Sequence, residues 1–136
     1  MKLCLSLLFL SLLLSLFPTF IKNAHAEEML WKSGNVFVAV YEDKKANLLY
    51  SGACQKSKCD ALELTKNLSW KSLSKEATTG GKNPGAVLCK EALKQNIIYL
   101  KDLSGNENTF CLFKDKSFIS SSSLSVIASK NEQKGK

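Results

Sequence analysis

Four cysteines, Cys54, Cys59, Cys89 and Cys111, fall within less than half of the chain, and their number is even. A short chain that leaves the reducing cytosol closes such a set into disulfides, so any fold must bring these positions together two by two. Four cysteines allow three pairings. Cys54 with Cys59 and Cys89 with Cys111 is the favoured choice, because each pair is nearest in sequence and falls within one structural unit, but spacing leaves the other two open. By the loop-closure argument, a bridge over the longer span contributes on the order of 3 kcal/mol. Two sharper roles fit less well. The spacing of Cys54 and Cys59 is wider than the Cys-x-x-Cys arrangement that tunes thiol acidity, and a four-thiolate zinc site lacks its usual close ligand pairs.

Disulfides presuppose export, and the first residues supply the address. Met1 and Lys2 make a charged start, and Leu3 to Phe17 is an apolar run broken only by Cys4, Ser6, Ser11 and Ser15 before Pro18 ends it. Ala24-His25-Ala26 then precedes Glu27, which places small residues at both positions of the A-x-A cleavage rule. The pattern predicts a signal peptide over residues 1–26, cut after Ala26 so that Glu27 becomes the first residue. The apolar run is shorter than the ~20 residues that span a bilayer as a helix. Cys4 lies at the start of that run, where it cannot serve as a lipid attachment point. The expected product is soluble and periplasmic or secreted.

Removing the signal leaves one ordinary domain with a modest core. All cationic residues are lysine; Lys2 and Lys22 precede the cut, so the other 17 lysines against 12 acids give the exported part a net charge of +5. Nucleic-acid sites favour arginine for bidentate contact with phosphate and guanine, so nucleic acid is not an expected partner. Weak attraction to anionic envelope surfaces is compatible with the charge. The single histidine, His25, leaves with the signal peptide. A Ser-His or Cys-His pair and a His-ligated metal are therefore not expected, nor is a cofactor.

Val36 to Tyr41 and Leu48 to Ser51 read as a hairpin. A small disulfide-closed loop follows, and then a helix that Asp60 would cap with Glu63 as the third residue of a capping-box-like pair. Ala61, Leu64 and Leu68 would form its buried face, extended by Trp70 and Leu73. Thr78-Thr79-Gly80-Gly81 is a turn between the two halves, without the spacing or the Lys-Ser/Thr ending of a phosphate loop. Asn83-Pro84 starts a second helix, with Ala86, Cys89 and Leu93 on its core side. Ile97 to Leu100 and Thr109 to Phe113 are strands joined through Ser104-Gly105-Asn106, Phe118-Ile119 is a short third, and Leu124, Ile127 and Ala128 close the domain as a brief helix. The expected fold is a small α+β domain of antiparallel hairpins and one or two short helices over residues 27–129. Residues 130–136 are expected to be a disordered polar tail.

The second half carries Asn83-Pro84-Gly85-Ala86-Val87-Leu88-Cys89, then Gly105, then Cys111-Leu112-Phe113-Lys114-Asp115-Lys116-Ser117. Over residues 81–123 this resembles the hemolysin-named family of small exported bacterial domains of unknown function, which shares the Asn-Pro helix start, both cysteines and the Asp-x-Ser turn. Lys116 stands where that turn has glycine, no glycine pair follows Leu93, Ile119 replaces a frequent cysteine, and no tryptophan follows. The resemblance implies a periplasmic or secreted α+β domain and transfers no catalytic residue. The leading expectation is a non-enzymatic module that binds an envelope or extracellular partner. The alternatives are a lytic or surface-active factor, and a histidine-independent hydrolase using acids such as Asp60 and Glu63 or a Ser-Lys pair.

Overall fold

In the computed structural model, which describes residues 27–74, 77 and 80–134, the first half of the domain forms a three-stranded antiparallel meander. Its strands are β1 (Glu27–Ser33), β2 (Val36–Asp43) and β3 (Leu48–Ser51). The second half repeats the arrangement with β4 (Asn96–Lys101), β5 (Glu107–Leu112) and β6 (Phe118–Ser120). The predicted cleavage residues Ala24 and Ala26, together with Thr78, Thr79, Gly135 and Lys136, lie outside the described residues.

The two meanders close on one another in the order β1-β2-β3-β6-β5-β4. The expected antiparallel hairpins are present, but they are parts of a six-stranded closed barrel rather than separate units. Closure removes the open edges that two small twisted sheets would otherwise expose. Both closing seams are thin, each with a single register pair: Tyr50 opposite Ile119 and Lys32 opposite Lys101. The sixth strand, β1, was not expected from the sequence. Its outward positions Glu28, Leu30 and Lys32 mix charge with an exposed leucine, which blurs the period-2 signal.

Alternation along the strands sorts side chains into two cores. Trp31, Val40, Leu100, Phe110 and Phe118 fill the barrel, with Phe110 making edge-to-face contacts to Trp31 and Phe118 at centroid distances of 5.4 and 5.6 Å. Outside the barrel wall, Tyr50, Cys111 and Ile119 pack under the helices together with Ala61, Leu68, Leu88 and Leu124. This double burial explains why Phe110 to Phe113 reads as a continuous apolar run rather than an alternating one.

Four helices cover this outer core among the described residues: α1 (Ala53–Lys56), α2 (Asp60–Glu63), α3 (Pro84–Val87) and α4 (Ser121–Lys134). The disulfide-closed loop is thus partly helical. A 3-10 turn, Trp70–Ser72, lies between α2 and α3, and a π-helical turn, Leu88–Ala92, continues α3. On α2 the buried position is Ala61, followed past its end by Thr65 and Leu68, whereas Leu64, its C-cap, is half exposed and does not join the predicted face. The helix is too short to hold a 3.6-residue stripe to its end.

Helix α4 corrects the expected tail. It is 14 residues long and runs through Lys130 to Lys134. Polar anchors hold its last turns in place of apolar ones: Asn131 donates to the carbonyls of Lys66 and Leu68 at 2.9 and 2.8 Å, Lys130 to that of Ala46 at 2.6 Å, and Glu132 accepts from Ser69. Composition reads such residues as disordered because it does not register their partners.

The Asn83 side chain accepts from the amides of Gly85 and Ala86, as the Asn-Pro start predicts. Asn83→Ala should cost about 1 kcal/mol in a denaturant titration. A change below a few tenths would mean that water replaces the cap.

Candidate functional site

Of the acids that the sequence offered for chemistry, Glu63 has an ion-pair partner and Asp60 enters a helix cap through its backbone N–H. The first N–H of α2, on Asp60, donates to Asp115 Oδ2 at 2.8 Å, and the next, on Ala61, donates to the buried Ser117 Oγ at 3.0 Å. The Ser117 hydroxyl donates in turn to Asp115 Oδ1 at 2.5 Å. Helix α2 is therefore capped by the Asp-x-Ser turn, 55 residues away. The predicted capping box does not form: Cys59 is the N-cap and Glu63 pairs with Lys66 at 2.7 Å. With Cys59 as the cap, Glu63 falls one position past the third residue that a capping box uses, and the Asp115–Ser117 turn supplies the acceptors instead.

Partial burial works to raise the Asp115 carboxyl. The Asp60 N–H and the Ser117 hydroxyl and N–H outweigh it and hold the group below its ordinary value. A carboxyl lowered in the folded state stabilises above its unfolded value, and that contribution disappears as pH falls through the folded one. Thermal stability should fall as the pH is taken below about 4, and Asp115→Asn should lower it at pH 7 while flattening that acid limb. An unchanged acid limb would show that the cap does not depend on the charge.

Cys54 is bridged to Cys59 with a Cα–Cα distance of 5.2 Å, and Cys89 to Cys111 at 5.6 Å. The first bridge staples α1 to the start of α2. The second pins the π-helical turn to β5, with both cysteines fully buried. Two bridges in so small a domain fit an oxidising compartment. Among the described residues, no helix is long and apolar enough to cross a membrane.

With these groups engaged, what stands free is surface. A groove of about 400 Å³ runs between α3 with its π-turn and the outer faces of β4 and β5. Val87 and Ile97 form its apolar floor, Lys82, Lys90 and Glu91 its helical rim, and Tyr99 its lip. The tyrosine is 61% exposed. Beyond it the outer row of β4 continues to Lys101, opposite Lys32 of β1, which in turn faces Phe37 of β2. Phe37 is 53% exposed and lies under the Lys32 ammonium, 5.3 Å from ring centroid to Nζ. Lys101 is offset by Glu107 at 3.7 Å. Leu30 and Leu103 flank a neighbouring cleft at the same seam.

None of these surface residues was singled out from the sequence. The available signal was an aromatic or leucine at an outward strand position, visible only once the register is known.

Comparison of the chain with protein-family models, with curated proteins and with solved structures returned no match.

Proposed function

We propose that the chain is an exported, non-enzymatic binding module, braced by its two disulfides, that takes an envelope or extracellular partner along the groove between α3 and β4–β5. The observation that carries this reading is the exposure of Tyr99 at the lip of an apolar-floored groove rimmed by Lys82 and Lys90. Aromatic residues held open to solvent beside an apolar depression are the usual anchors of recognition surfaces. The Asp115 carboxylate is engaged in a helix cap, accepting from the Asp60 N–H and from Ser117.

The kinship with the hemolysin-named family belongs to the same proposal, and the backbone supports it at the points where the sequence departs. Lys94, just after Leu93 where the family has glycine, has φ 54°, and Lys116, in place of the turn glycine, has φ 69°. These are left-handed conformations that glycine adopts freely and lysine only with strain. Left-handed backbone at Lys94 and Lys116 is what glycines after the helix and in the turn would adopt, which favours the resemblance. Secretion into the periplasm or beyond, after cleavage at Ala26, completes the reading.

The test is to titrate isotope-labelled protein with separated envelope fractions and follow amide shifts. Perturbations centred on Ala86, Lys90, Ile97 and Tyr99, lost on Tyr99→Ala, are expected. Shifts confined to other faces, or turnover of a fraction abolished by a single Asp, Glu, Ser or Lys substitution, would sink the proposal.

A further inference from the structure

A second recess shares no residue with that groove. It opens where the barrel wall is incomplete. Strand β2 pairs with β3 from Val40 to Asp43, but at Ser51 and Gly52 the chain turns away into α1, so Val36 to Val38 have no β3 partner. On the far side β6 joins β3 through one register pair. The resulting opening, about 370 Å³, reaches Val38 and Phe118 at the edge of the barrel core. Gly52 makes its floor possible, since a Cβ there would lie 3.0 Å from the Ala39 Cβ and 3.1 Å from the Tyr41 ring.

Two lysines from separate elements line this opening, Lys56 at the end of α1 and Lys116 in the β5–β6 turn. The acidic residue in the lining is Glu28, whose carboxylate accepts the Tyr41 hydroxyl. That bond, ahead of partial burial and the nearby negative charge, holds the Tyr41 hydroxyl above its ordinary value and so keeps it protonated as the donor. The lining is left with an excess of positive charge beside an apolar wall. Lys116 holds its place in a left-handed backbone, at a position where glycine would be free of strain. A strained residue whose side chain lines a recess is a reason to look for what the side chain binds.

We infer that this recess binds a small soluble ligand that carries a phosphate or carboxylate on an apolar group, with Lys56 and Lys116 clamping the anion and Val38 and Phe118 receiving the apolar part. Ammonium-to-anion hydrogen bonds supply the selectivity and weaken with salt. The apolar part displaces water from a surface that the barrel cannot cover.

Phenyl phosphate is the probe, followed by calorimetry and amide shifts on the disulfide-intact exported chain, with benzyl alcohol as its neutral counterpart. Binding of phenyl phosphate that perturbs Val38, Gly52 and Phe118 and falls with added salt is expected, with benzyl alcohol much weaker. Two variants separate the lysine's charge from its backbone. Lys116→Gly and Lys94→Gly each relieve a left-handed lysine and should both raise the melting temperature. Only Lys116→Gly should weaken phenyl phosphate, by about tenfold, the scale of one charge-assisted hydrogen bond. Equal affinity in both variants would overturn the inference, as would equal binding of benzyl alcohol. Binding to phosphatidylglycerol vesicles with none to phenyl phosphate would move the anion to a lipid surface and overturn the small-ligand recess. Loss of groove binding in the envelope titration would leave this result untouched.

Discussion

Replacing Gly85 by alanine is expected to destabilise the domain by about 3 kcal/mol or more, although the same exchange inside a helix ordinarily stabilises by about 0.5–1 kcal/mol. The reason is the approach of α3 to the start of α4. A Cβ on Gly85 would lie 1.7 Å from the Ser121 carbonyl oxygen and 2.4 Å from its carbon. Both atoms are backbone, so no rotamer change relieves the overlap, and α3 must lift away from α4. That movement would also disturb Leu88 and Cys89, which are fully buried just beyond it. Ala86→Gly, one position along, should cost only the helix-propensity difference of about 1 kcal/mol. A denaturant titration of the two variants checks the contrast. If Gly85→Ala proved neutral, the close contact between the two helices would not be a feature of the folded protein.

Removal of the Cys89–Cys111 bridge should have the second large effect. The bridge closes a sequence separation of 22 residues, for which loop closure gives about 3 kcal/mol, against about 2 kcal/mol for the separation of 5 between Cys54 and Cys59. In a domain of this size such a loss lowers the melting temperature by on the order of 10–20 °C. Burial adds to it, because Cys89 and Cys111 are fully enclosed between β5 and the helical layer, and paired alanines would leave a small cavity there. Cys89→Ala with Cys111→Ala should therefore be clearly less stable than Cys54→Ala with Cys59→Ala. Equal losses from the two pairs would show that loop closure is not what the bridges contribute. Reduction of the native protein should remove the loop-closure contribution of both bridges without the alanine cavity.

Both effects bear on the proposed binding groove. The bridge pins the π-turn to β5 and the Gly85 contact seats α3 on α4, and the groove with Val87, Lys90, Ile97 and Tyr99 lies between this helical unit and β4–β5. A domain with a modest core cannot hold such an angle by hydrophobic burial alone. The disulfide keeps the helical rim at a fixed distance from the sheet, so a partner of the kind proposed would meet a preorganised surface.

Much of the local structure was legible in the chain because its causes are local. Asn83-Pro84 caps and starts α3 by its own side chain and ring; Ser104-Gly105-Asn106 turns β4 into β5; and β2 with β3 follows from β-branched and aromatic runs around a polar turn. The candidate surfaces were not legible. Tyr99 and Phe37 look like core residues until the register turns them outward, and Lys56 and Lys116 are 60 positions apart in a lysine-rich sequence until the β5–β6 turn is brought beside α1.

By itself the sequence determined where five of the six strands, the turns and the α3 cap form, because adjacent residues supply the donors, the rings and the glycines. Only the tertiary structure decided that two meanders close into a barrel, that Asp115 and Ser117 cap a helix far away in the chain, and that Lys130 to Lys134 are helical. Each of these depends on a partner distant in sequence. A strand edge, a free N–H or a polar side chain carries no local mark of the group that will satisfy it, and that group is chosen when the chain folds.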